Sequence, residues 1–323
     1  MLSLLRSQPL LFFVYCPVAV RLKPILDQET ARDPSKSPQK SKPTDKRAWT
    51  LQKSGAMDTL VQKGAALKVE GKTVFHFDQV FDEDTKTPLL YKSIARPMVK
   101  TVLSGRHATI FAYGQTGSGK TFTMQGDGKA ASGQAGIIQL VASDLFRTMR
   151  QGEMAKRVFT IKVSYVEVYN ERIRDLLSDE TCGSTASHGT PNSSLVPNKE
   201  PDPNEVTIRT AANGEVYLNC VQIEVTSVER VLELLISGNA NRVVAKTDVN
   251  QYSSRSHAIF RLTVESRENG GPSIDLDSEV VRMADFNLVD LAGSESVKVA
   301  NTSVGVRQRE GAKINQRYDL LFS

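Results

Sequence analysis

The sequence predicts an α/β fold in which a central, mostly parallel β-sheet carries helices on both faces. Two observations lead to this class. Short apolar segments with strand character alternate along the chain with segments of helical spacing. In addition, the apolar run Ala108–Tyr113 leads through a glycine-rich loop into a predicted helix that begins at Lys120. A chain of 323 residues is long enough to bury the core of such a fold.

The elements before the glycine-rich loop include strands and one long helix. Val18–Val20 predicts a short buried strand, and Val74–Phe77 alternates as a second strand. Leu89–Leu103 has apolar residues at helical spacing and predicts one helix. Ala108–Tyr113 predicts a buried strand, so the loop is expected to begin at the end of a strand inside the sheet.

After the loop the alternation continues to residue 289. The predicted elements are, in chain order, helix Ile138–Met149, strand Phe159–Tyr169, short helix Glu171–Leu177, strand Glu215–Val225, helix Val228–Ala240 and strands Ala258–Glu265 and Phe286–Val289. Strands that alternate with helices in this way favour a sheet between two helical layers.

Two polar segments predict long loops inserted into this framework. Residues 27–47 alternate proline and serine with lysine, and residues 178–204 are rich in serine, threonine, proline and asparagine. The first loop is basic and either contacts an acidic partner or is simply solvated. We expect an atypical leader over 1–17, one domain over 18–315 with both insertions, and a divergent tail over 316–323.

Composition and charge leave several function classes open. The formal net charge of +5 slightly favours a polyanionic partner. The three cysteines are too far apart for a zinc site or a disulfide framework and suit a reducing compartment. The apolar stretch Leu10–Val20, which follows Arg6, is either the core of a signal peptide or part of a leader before the first strand. No later stretch approaches the about 20 apolar residues of a membrane helix.

The glycine-rich loop matches the phosphate-binding pattern G-x-x-x-x-G-K-[ST]. Its residues are Gly114, Gln115, Thr116, Gly117, Ser118, Gly119, Lys120 and Thr121. The glycines allow backbone N–H groups to surround phosphate oxygens. Lys120 would reach the β and γ phosphates, and the Thr121 hydroxyl would bind Mg²⁺. The motif therefore predicts a fold of the P-loop NTPase type, with ATP and Mg²⁺ as cofactors.

Two further segments fit a site that responds to the γ-phosphate. Asp290 ends an apolar strand, where an acid commonly holds Mg²⁺, and Gly293 follows with a backbone N–H that could meet the γ-phosphate. Residues 250–257 place an amide, hydroxyls and an arginine just before a strand, as a loop that clasps and releases a γ-phosphate requires. Without a functional role, Asp290 would simply mark a turn and residues 250–257 would be a polar loop. The presence of the phosphate loop favours the functional interpretation of both.

Together these segments resemble the motor domain of a kinesin. The resemblance rests on AYGQTGSGKTFTM (Ala112–Met124), VEVYNERIRDLL (Val166–Leu177), NQYSSRSHAIF (Asn250–Phe260), LVDLAGSE (Leu288–Glu295) and FHFDQVF (Phe75–Phe81). Their order and spacing are those of the family, from about residue 18 to 315. The run from Trp49 through DEDTKTPLLY is most similar to centromere-associated (kinesin-7) motors. The resemblance implies a microtubule-stimulated ATPase.

The resemblance also assigns roles to individual residues. It implies adenine contacts by Arg21, Lys23 and Pro24, Mg²⁺ ligation by Thr121, Ser254 and Asp290, and a catalytic set of Glu295, Arg255, Ser253, Ser254, Asn250 and Gly293. Arg255 and Glu295 are expected to form a salt bridge that closes when ATP is held. Glu295 would then take the proton of the attacking water through a relay. Arg106-His107 replaces the family's usual aromatic residue near the adenine, so nucleotide affinity or selectivity is expected to differ.

The resemblance stops after Asn315. There the family continues with Ser-Leu and a long helix, whereas this sequence reads Gln316-Arg317-Tyr318-Asp319 and ends at Ser323. The elements that follow in the family make most of its microtubule contact. The fold is therefore expected to be incomplete at the C-terminus, with an unpaired edge in the central sheet.

Three functional hypotheses follow. The first is a motor ATPase that couples hydrolysis to movement along microtubules, in the cytoplasm and on the cytoskeleton. The second is a kinesin-derived nucleotide-binding module that lacks microtubule binding and motility. The third, a GTPase, is disfavoured because the sequence has no N-K-x-D guanine motif. Tubulin is the expected partner of the first. No nucleic-acid or membrane partner is expected, and no coiled-coil heptad supports a dimer.

Overall fold

A computed structural model describes residues 16–24, 49–53, 55, 57–62, 74–127, 134–180, 204–210, 216–244, 255–268 and 281–295. The chain divides into two compact units, Met1–Thr85 and Lys86–Ser323. The insertion expected over 27–47, most of the one expected over 178–204, the tail over 316–323 and all but two residues of the leader lie outside the described residues.

The described strands are β1 (Ala19–Arg21), β2 (Trp49–Gln52), β3 (Asp58–Gln62), β4 (Val74–Phe77), β5 (Gln79–Phe81), β6 (Ala108–Ala112), β7 (Arg157–Tyr169), β8 (Arg172–Asp175), β9 (Glu205–Val206), β10 (Ile208–Thr210), β11 (Val216–Leu218), β12 (Ile223–Val225), β13 (His257–Glu268) and β14 (Arg282–Asp290). The α-helices are α1 (Thr87–Ile94), α2 (Arg96–Leu103), α3 (Lys120–Gln125), α4 (Ile137–Met149) and α5 (Val228–Val244). Within the described ranges, none of these helices combines the length and apolar character that crossing a membrane requires.

The N-terminal unit contains two small sheets. β1 pairs in parallel with β5, with Val20 opposite Val80. β2, β3 and β4 form an antiparallel sheet in that order. The Asp58 carboxylate accepts a hydrogen bond of 2.7 Å from the Val80 backbone N–H and so ties β3 to β5. The strand predicted at Val18–Val20 is confirmed as β1, but it is half-buried rather than buried, because its one partner strand among the described residues is β5.

The C-terminal unit is built around a seven-stranded sheet of order β6-β14-β13-β7-β8-β9, with β12 also paired to β7. β7 and β13 run antiparallel along their whole shared length, from His257 opposite Val168 to Glu268 opposite Arg157. β6 and β14 are the one parallel pair in the described part of this sheet. The part of the sheet that the structure describes is therefore mixed, where a mostly parallel sheet was expected. Consecutive strands such as β7–β8 and β13–β14 pair directly, and direct pairing of neighbours favours the antiparallel direction.

The described helices lie over one face of this sheet. α1, α2, α3 and α5 all contact α4, which places them in one layer. Below that layer Tyr165, Phe260 and Leu288 stand opposite one another on β7, β13 and β14, and all three are fully buried. The α/β class is confirmed, whereas the expectation of helices on both faces holds for only one face within the described residues.

The opposite face carries polar side chains in cross-strand pairs. Lys162 lies 2.7 Å from the Glu265 carboxylate, and the Thr263 hydroxyl donates a hydrogen bond of 2.7 Å to Asp285. Alternation of apolar and polar side chains between the two faces is typical of antiparallel sheets. It explains the alternating pattern that identified these strands.

One predicted helix is a strand. Glu171–Leu177 was expected to be helical, but the chain reverses after β7 and returns as β8, which pairs antiparallel with it. The reversal places Asn170 at φ 46° and Glu171 at φ 63°. Two successive residues with positive φ are characteristic of a tight hairpin turn that matches strand twist. Pairing with the end of β7 therefore overrides the local helical pattern.

Two other predicted elements are interrupted. The helix expected over Leu89–Leu103 breaks at Ala95 into α1 and α2, because Pro97 has no N–H to donate within a continuous helix. The strand expected over Glu215–Val225 is divided between β11, which pairs with β10, and β12, which pairs with β7. The strand at Ala108–Tyr113 is confirmed as β6, but Ile110 is its one buried residue, because β6 has β14 as its single partner among the described strands.

Close packing between α5 and β7 gives a stability prediction. A Cβ added to Gly238 would lie 2.9 Å from Tyr165 Cε1 and closer still to its Cδ1. We expect Gly238→Ala to lower the free energy of unfolding by about 1–3 kcal/mol, because the ring is held among buried neighbours and has little room to shift. Urea denaturation measures this value. Ile236→Ala is the control, since Ile236 on the same helix is 63% exposed, and equal losses in both variants would contradict the prediction.

Candidate active site

The phosphate loop leaves the sheet at the end of β6 and enters α3. Gly114, Gly117 and Gly119 have φ values of 153°, 79° and 99°. These values lie in the region that glycine adopts most readily. A Cβ on Gly114 would also stand 2.7 Å from the Ser118 hydroxyl. The glycines predicted from the motif are thus required by the backbone path of the loop.

Lys120 folds back over its own loop. Its ammonium group donates to the carbonyl oxygens of Gly114 at 2.8 Å and Gln115 at 3.0 Å. Burial lowers the pKa of Lys120, while the negative charges of Asp290 and Glu295 act to raise it. Two neutral carbonyl oxygens therefore hold the ammonium group at the loop. A phosphate oxygen, which is charged, would be a stronger acceptor in their place.

Thr121 and Asp290 meet across the gap between α3 and β14. The Thr121 hydroxyl donates a 2.6 Å hydrogen bond to Asp290 Oδ2. The carboxylate is 5% exposed, and burial raises the pKa of Asp290, partly offset by the Thr121 hydrogen bond and the charges of Arg242 and Lys120. Its other oxygen, Oδ1, is buried and has no hydrogen-bond partner in the described part of the protein.

This pair fits a divalent cation. Mg²⁺ prefers hydroxyl, carboxylate and phosphate oxygens and retains several waters. Thr121 Oγ1 and the unpartnered Asp290 Oδ1 supply the first two kinds of oxygen beside the phosphate loop. Ser254, the third predicted ligand, lies outside the described residues.

Glu295 is held against the phosphate loop. One carboxylate oxygen accepts a 2.8 Å hydrogen bond from the Thr116 backbone N–H, and the other accepts one from the Thr116 hydroxyl. Burial raises the pKa of Glu295, but these hydrogen bonds and the charge of Lys120 outweigh it, so the pKa lies below its usual value. Gly293 allows this approach, because a Cβ there would stand against the Glu295 carboxylate and the Thr116 hydroxyl.

Thr116 is the residue that binds the Glu295 carboxylate in this structure. Both Glu295 oxygens accept from Thr116, and Arg255 lies at the beginning of the described segment that leads into β13. The Arg255–Glu295 salt bridge stays a prediction for the nucleotide-bound state. Asn250 and Ser253, expected to support the proton relay, lie outside the described residues.

The start of β13 is joined to the end of β14 by buried hydrogen bonds. His257 Nδ1 accepts a 3.1 Å bond from the Ala292 backbone N–H. One residue earlier, Ser256 is fully buried and contacts Arg242 from α5. The structure therefore brings together three of the segments that the sequence singled out, namely the phosphate loop, the segment before β13 and the segment after β14.

The predicted adenine contacts belong to the N-terminal unit. There Arg21 Nη2 donates a 3.2 Å hydrogen bond to the Thr85 carbonyl, and burial lowers the pKa of Arg21. Lys23 and Pro24 follow β1 and are exposed. The role of these three residues at an adenine stays a prediction.

Comparison with known proteins decides the family. The kinesin motor domain family model matches residues 21–321. The chain belongs to the kinesin motor domain family. Similar proteins include the rice kinesin-like protein KIN-7I, 37% identical over 84% of this chain, and human centromere-associated protein E, 36% identical over 87% of this chain. Rice KIN-7L is 38% identical over 94%. These relatives agree with the resemblance to kinesin-7 motors.

The chain spans a small part of those relatives, covering 20% of KIN-7I, 9% of centromere-associated protein E and 41% of KIN-7L. Among solved structures, one described as a fast kinesin aligns with a TM-score of 0.69 and 29% identity, covering 93% of this chain and 71% of that one. The kinesin motor fold of this chain is therefore shared with an experimental structure.

Two features of this kinesin site were missed by sequence reasoning. The Thr116–Glu295 contact joins residues 179 positions apart, and neither motif on its own indicates that the two residues meet. Arg242 lies in the last turn of α5, where a basic residue usually favours the helix dipole at the surface. Here its side chain is only 7% exposed. The helical pattern alone carried no signal for a buried arginine.

Proposed function

We propose that this kinesin motor domain binds Mg-ATP and hydrolyses it in a cycle that microtubules stimulate. The observation that carries the proposal is the Thr121–Asp290 contact of 2.6 Å at the mouth of the phosphate loop, together with the unpartnered Asp290 Oδ1. A hydroxyl and a buried carboxylate that meet beside a glycine-rich anion site are suited to a magnesium-bound triphosphate.

Binding begins with the phosphate loop. Backbone N–H groups of the phosphate loop and the N-terminus of α3 would face the β-phosphate, and Lys120 would exchange its carbonyl partners for phosphate oxygens. Thr121, Asp290 and Ser254 would hold Mg²⁺, which when bound neutralises the charge on the β- and γ-phosphates. Arg21, Lys23 and Pro24 would border the adenine.

Hydrolysis requires Glu295 to change partners. In the structure its carboxylate accepts hydrogen bonds from the Thr116 backbone N–H and hydroxyl. The γ-phosphate would compete for these donors, and the released carboxylate would pair with Arg255 to close the site. The pair would orient water in line with the γ-phosphorus, with the Gly293 N–H at the γ-phosphate and with Ser253 and Asn250 in the proton relay. The Thr116 hydrogen bonds hold the pKa of Glu295 below its usual value, so the carboxylate is charged before it leaves Thr116.

Microtubule coupling is proposed from family membership. The relatives that this chain matches are kinesin-like proteins much longer than 323 residues, and a structural neighbour was described in terms of its interactions with microtubules. If this chain binds tubulin, we expect it to be located on the cytoskeleton.

Phosphate release by the purified chain, measured with and without microtubules and with ATP or GTP, tests the proposal. We expect a basal ATPase that microtubules stimulate, and co-sedimentation of the protein with them. Basal ATP turnover without microtubule stimulation or co-sedimentation would support the second hypothesis, a nucleotide-binding module that is not a motor. A preference for GTP would contradict the proposed substrate.

A further inference from the structure

A closed ring of side-chain hydrogen bonds anchors the far end of the short helix that follows the phosphate loop. The Tyr165 hydroxyl on β7 donates to Asn239 Oδ1 on α5 at 2.8 Å. The Asn239 amide donates to Gln125 Oε1 at 2.9 Å, and the Gln125 amide donates to the Tyr165 hydroxyl at 3.2 Å. Gln125 is the last residue of α3. The ring therefore joins the end of α3 to β7 and α5.

The three groups of the ring satisfy one another. Each donates once and accepts once, and reversing one amide alone would place two donors or two acceptors face to face. Tyr165 is only 1% exposed, and its ring packs edge-on against Phe260 with the centroids 5.2 Å apart. A buried tyrosine hydroxyl needs a polar partner. The hydroxyl is therefore a fixed point to which the end of α3 is tied.

The backbone at the same end of α3 is fixed as well. The Gln125 carbonyl accepts a 2.6 Å hydrogen bond from the Gln139 amide on α4. α3 has only six residues, of which Met124 is the buried one. A helix this short is not stable without tertiary contacts. Polar contacts at its two ends therefore have a large part in deciding how α3 lies on the sheet.

The opposite end of α3 carries two side chains of the phosphate site. Lys120 and Thr121 are its first two residues, and the Thr121 hydroxyl lies 2.6 Å from Asp290 Oδ2. With a rise of about 1.5 Å per residue, a tilt of about 10° at Gln125 would move Lys120 by about 1 Å. A displacement of that size is enough to spoil hydrogen bonds to phosphate oxygens.

We propose that Gln125, Tyr165 and Asn239 are positioning residues for the phosphate site. The ring holds α3 at the angle that directs Lys120 and Thr121 toward the nucleotide phosphates. The inference rests on the proposed function and assigns the three ring residues no contact with the nucleotide. It differs from a purely structural role, in which the ring would stabilise the fold and leave nucleotide affinity unchanged.

The test is an equilibrium titration with fluorescent ADP (a methylanthraniloyl derivative) in Mg²⁺, beside urea denaturation of each variant. Asn239→Leu keeps the approximate size of the side chain but removes two of the three ring hydrogen bonds. We expect it to weaken ADP binding by about tenfold, because the nucleotide must then order α3, and two net hydrogen bonds correspond to about that factor in a dissociation constant.

Asn241→Leu is the matched control. Asn241 lies on the same helix and is also half-buried, and its amide donates a 3.0 Å hydrogen bond to the Leu176 carbonyl, a contact that does not involve α3. This variant should lower the free energy of unfolding and keep the wild-type affinity for ADP. An equal loss of affinity in Asn241→Leu and Asn239→Leu would assign the ring a purely structural role.

Two further substitutions separate positioning from folding. Tyr165→Phe keeps the packing against Phe260 and removes only the hydroxyl, so we expect a folded protein with a similar loss of ADP affinity. Q125M/N239L should bind ADP no more weakly than the weaker of its two single variants, because both substitutions act through the same ring. Wild-type affinity in folded Tyr165→Phe or Asn239→Leu, or additive losses in the double variant, would overturn the inference alone. Failure of the wild type to bind ADP would overturn the proposed function as well.

Discussion

Replacing Lys120 with alanine is expected to weaken ATP binding by about a hundredfold, because a charge-assisted hydrogen bond to phosphate contributes up to about 3 kcal/mol. The structure explains why no neighbour would compensate. The ammonium group fills the space between the Gly114 and Gln115 carbonyl oxygens, and its removal leaves acceptors that repel the phosphate. Equilibrium titration with fluorescent ATP measures the loss, and turnover at saturating nucleotide should also fall.

Lys156→Ala is the matched control for this variant. Lys156 lies in the same unit, but its side chain is 71% exposed and pairs with Glu153, so its removal should leave the dissociation constant unchanged. Lys120→Arg adds a second comparison, because a guanidinium keeps the charge but is too large for the same position. Wild-type affinity in the alanine variant would show that the triphosphate does not bind at this loop.

The backbone path of the phosphate loop was the most predictable part of the candidate site, because it depends on local sequence. A loop that turns N–H groups toward phosphate needs glycines at fixed positions, and the structure requires positive φ at Gly117 and Gly119. Asp290 was likewise predictable from its place at the end of an apolar strand. The glycine conformations depend on neighbours in sequence, whereas the Thr121–Asp290 contact depends on the pairing of β6 with β14.

The fold was less predictable where distant pairing decides it. An apolar alternation indicates a strand but not its partner or direction, so the antiparallel pairing of β7 with β13 could not be read from either segment. The hairpin at Asn170–Glu171 shows the same limit at short range. Glutamate rarely adopts positive φ, and the charged residues after it fit a helix, yet pairing of β8 with β7 stabilises the turn.

Buried charge was the least predictable feature of the site. Arg242 and Glu167 are each typical surface residues by type, and they meet because α5 lies over β7. Glu295 accepts two hydrogen bonds from Thr116, which lies 179 positions away in the chain. Each of these contacts depends on the packing of elements far apart in the chain, which no motif encodes.

Replacing Glu295 with alanine is expected to remove most ATP hydrolysis while preserving ATP binding. We expect hydrolysis to fall by about 10²–10⁴-fold, the usual contribution of a group that takes or relays a proton. ATP affinity should stay the same or increase, since the Thr116 N–H and hydroxyl that Glu295 occupies become available to phosphate. Single-turnover phosphate release and equilibrium titration with fluorescent ATP separate the two quantities.

The same pair of measurements distinguishes a catalytic Glu295 from one that only holds the phosphate loop closed. Thr116→Val removes the hydroxyl that Glu295 binds while keeping the carboxylate, so it should retain most of the turnover if the carboxylate acts in the proton relay. Glu268→Ala is the control, because Glu268 is 69% exposed and pairs with Arg157 far along β13. Near wild-type turnover in Glu295→Ala would contradict the relay. An equal loss of turnover in Thr116→Val and Glu295→Ala, with ATP affinity unchanged in both, would instead assign Glu295 to loop geometry, because both variants lose the contact between the two side chains.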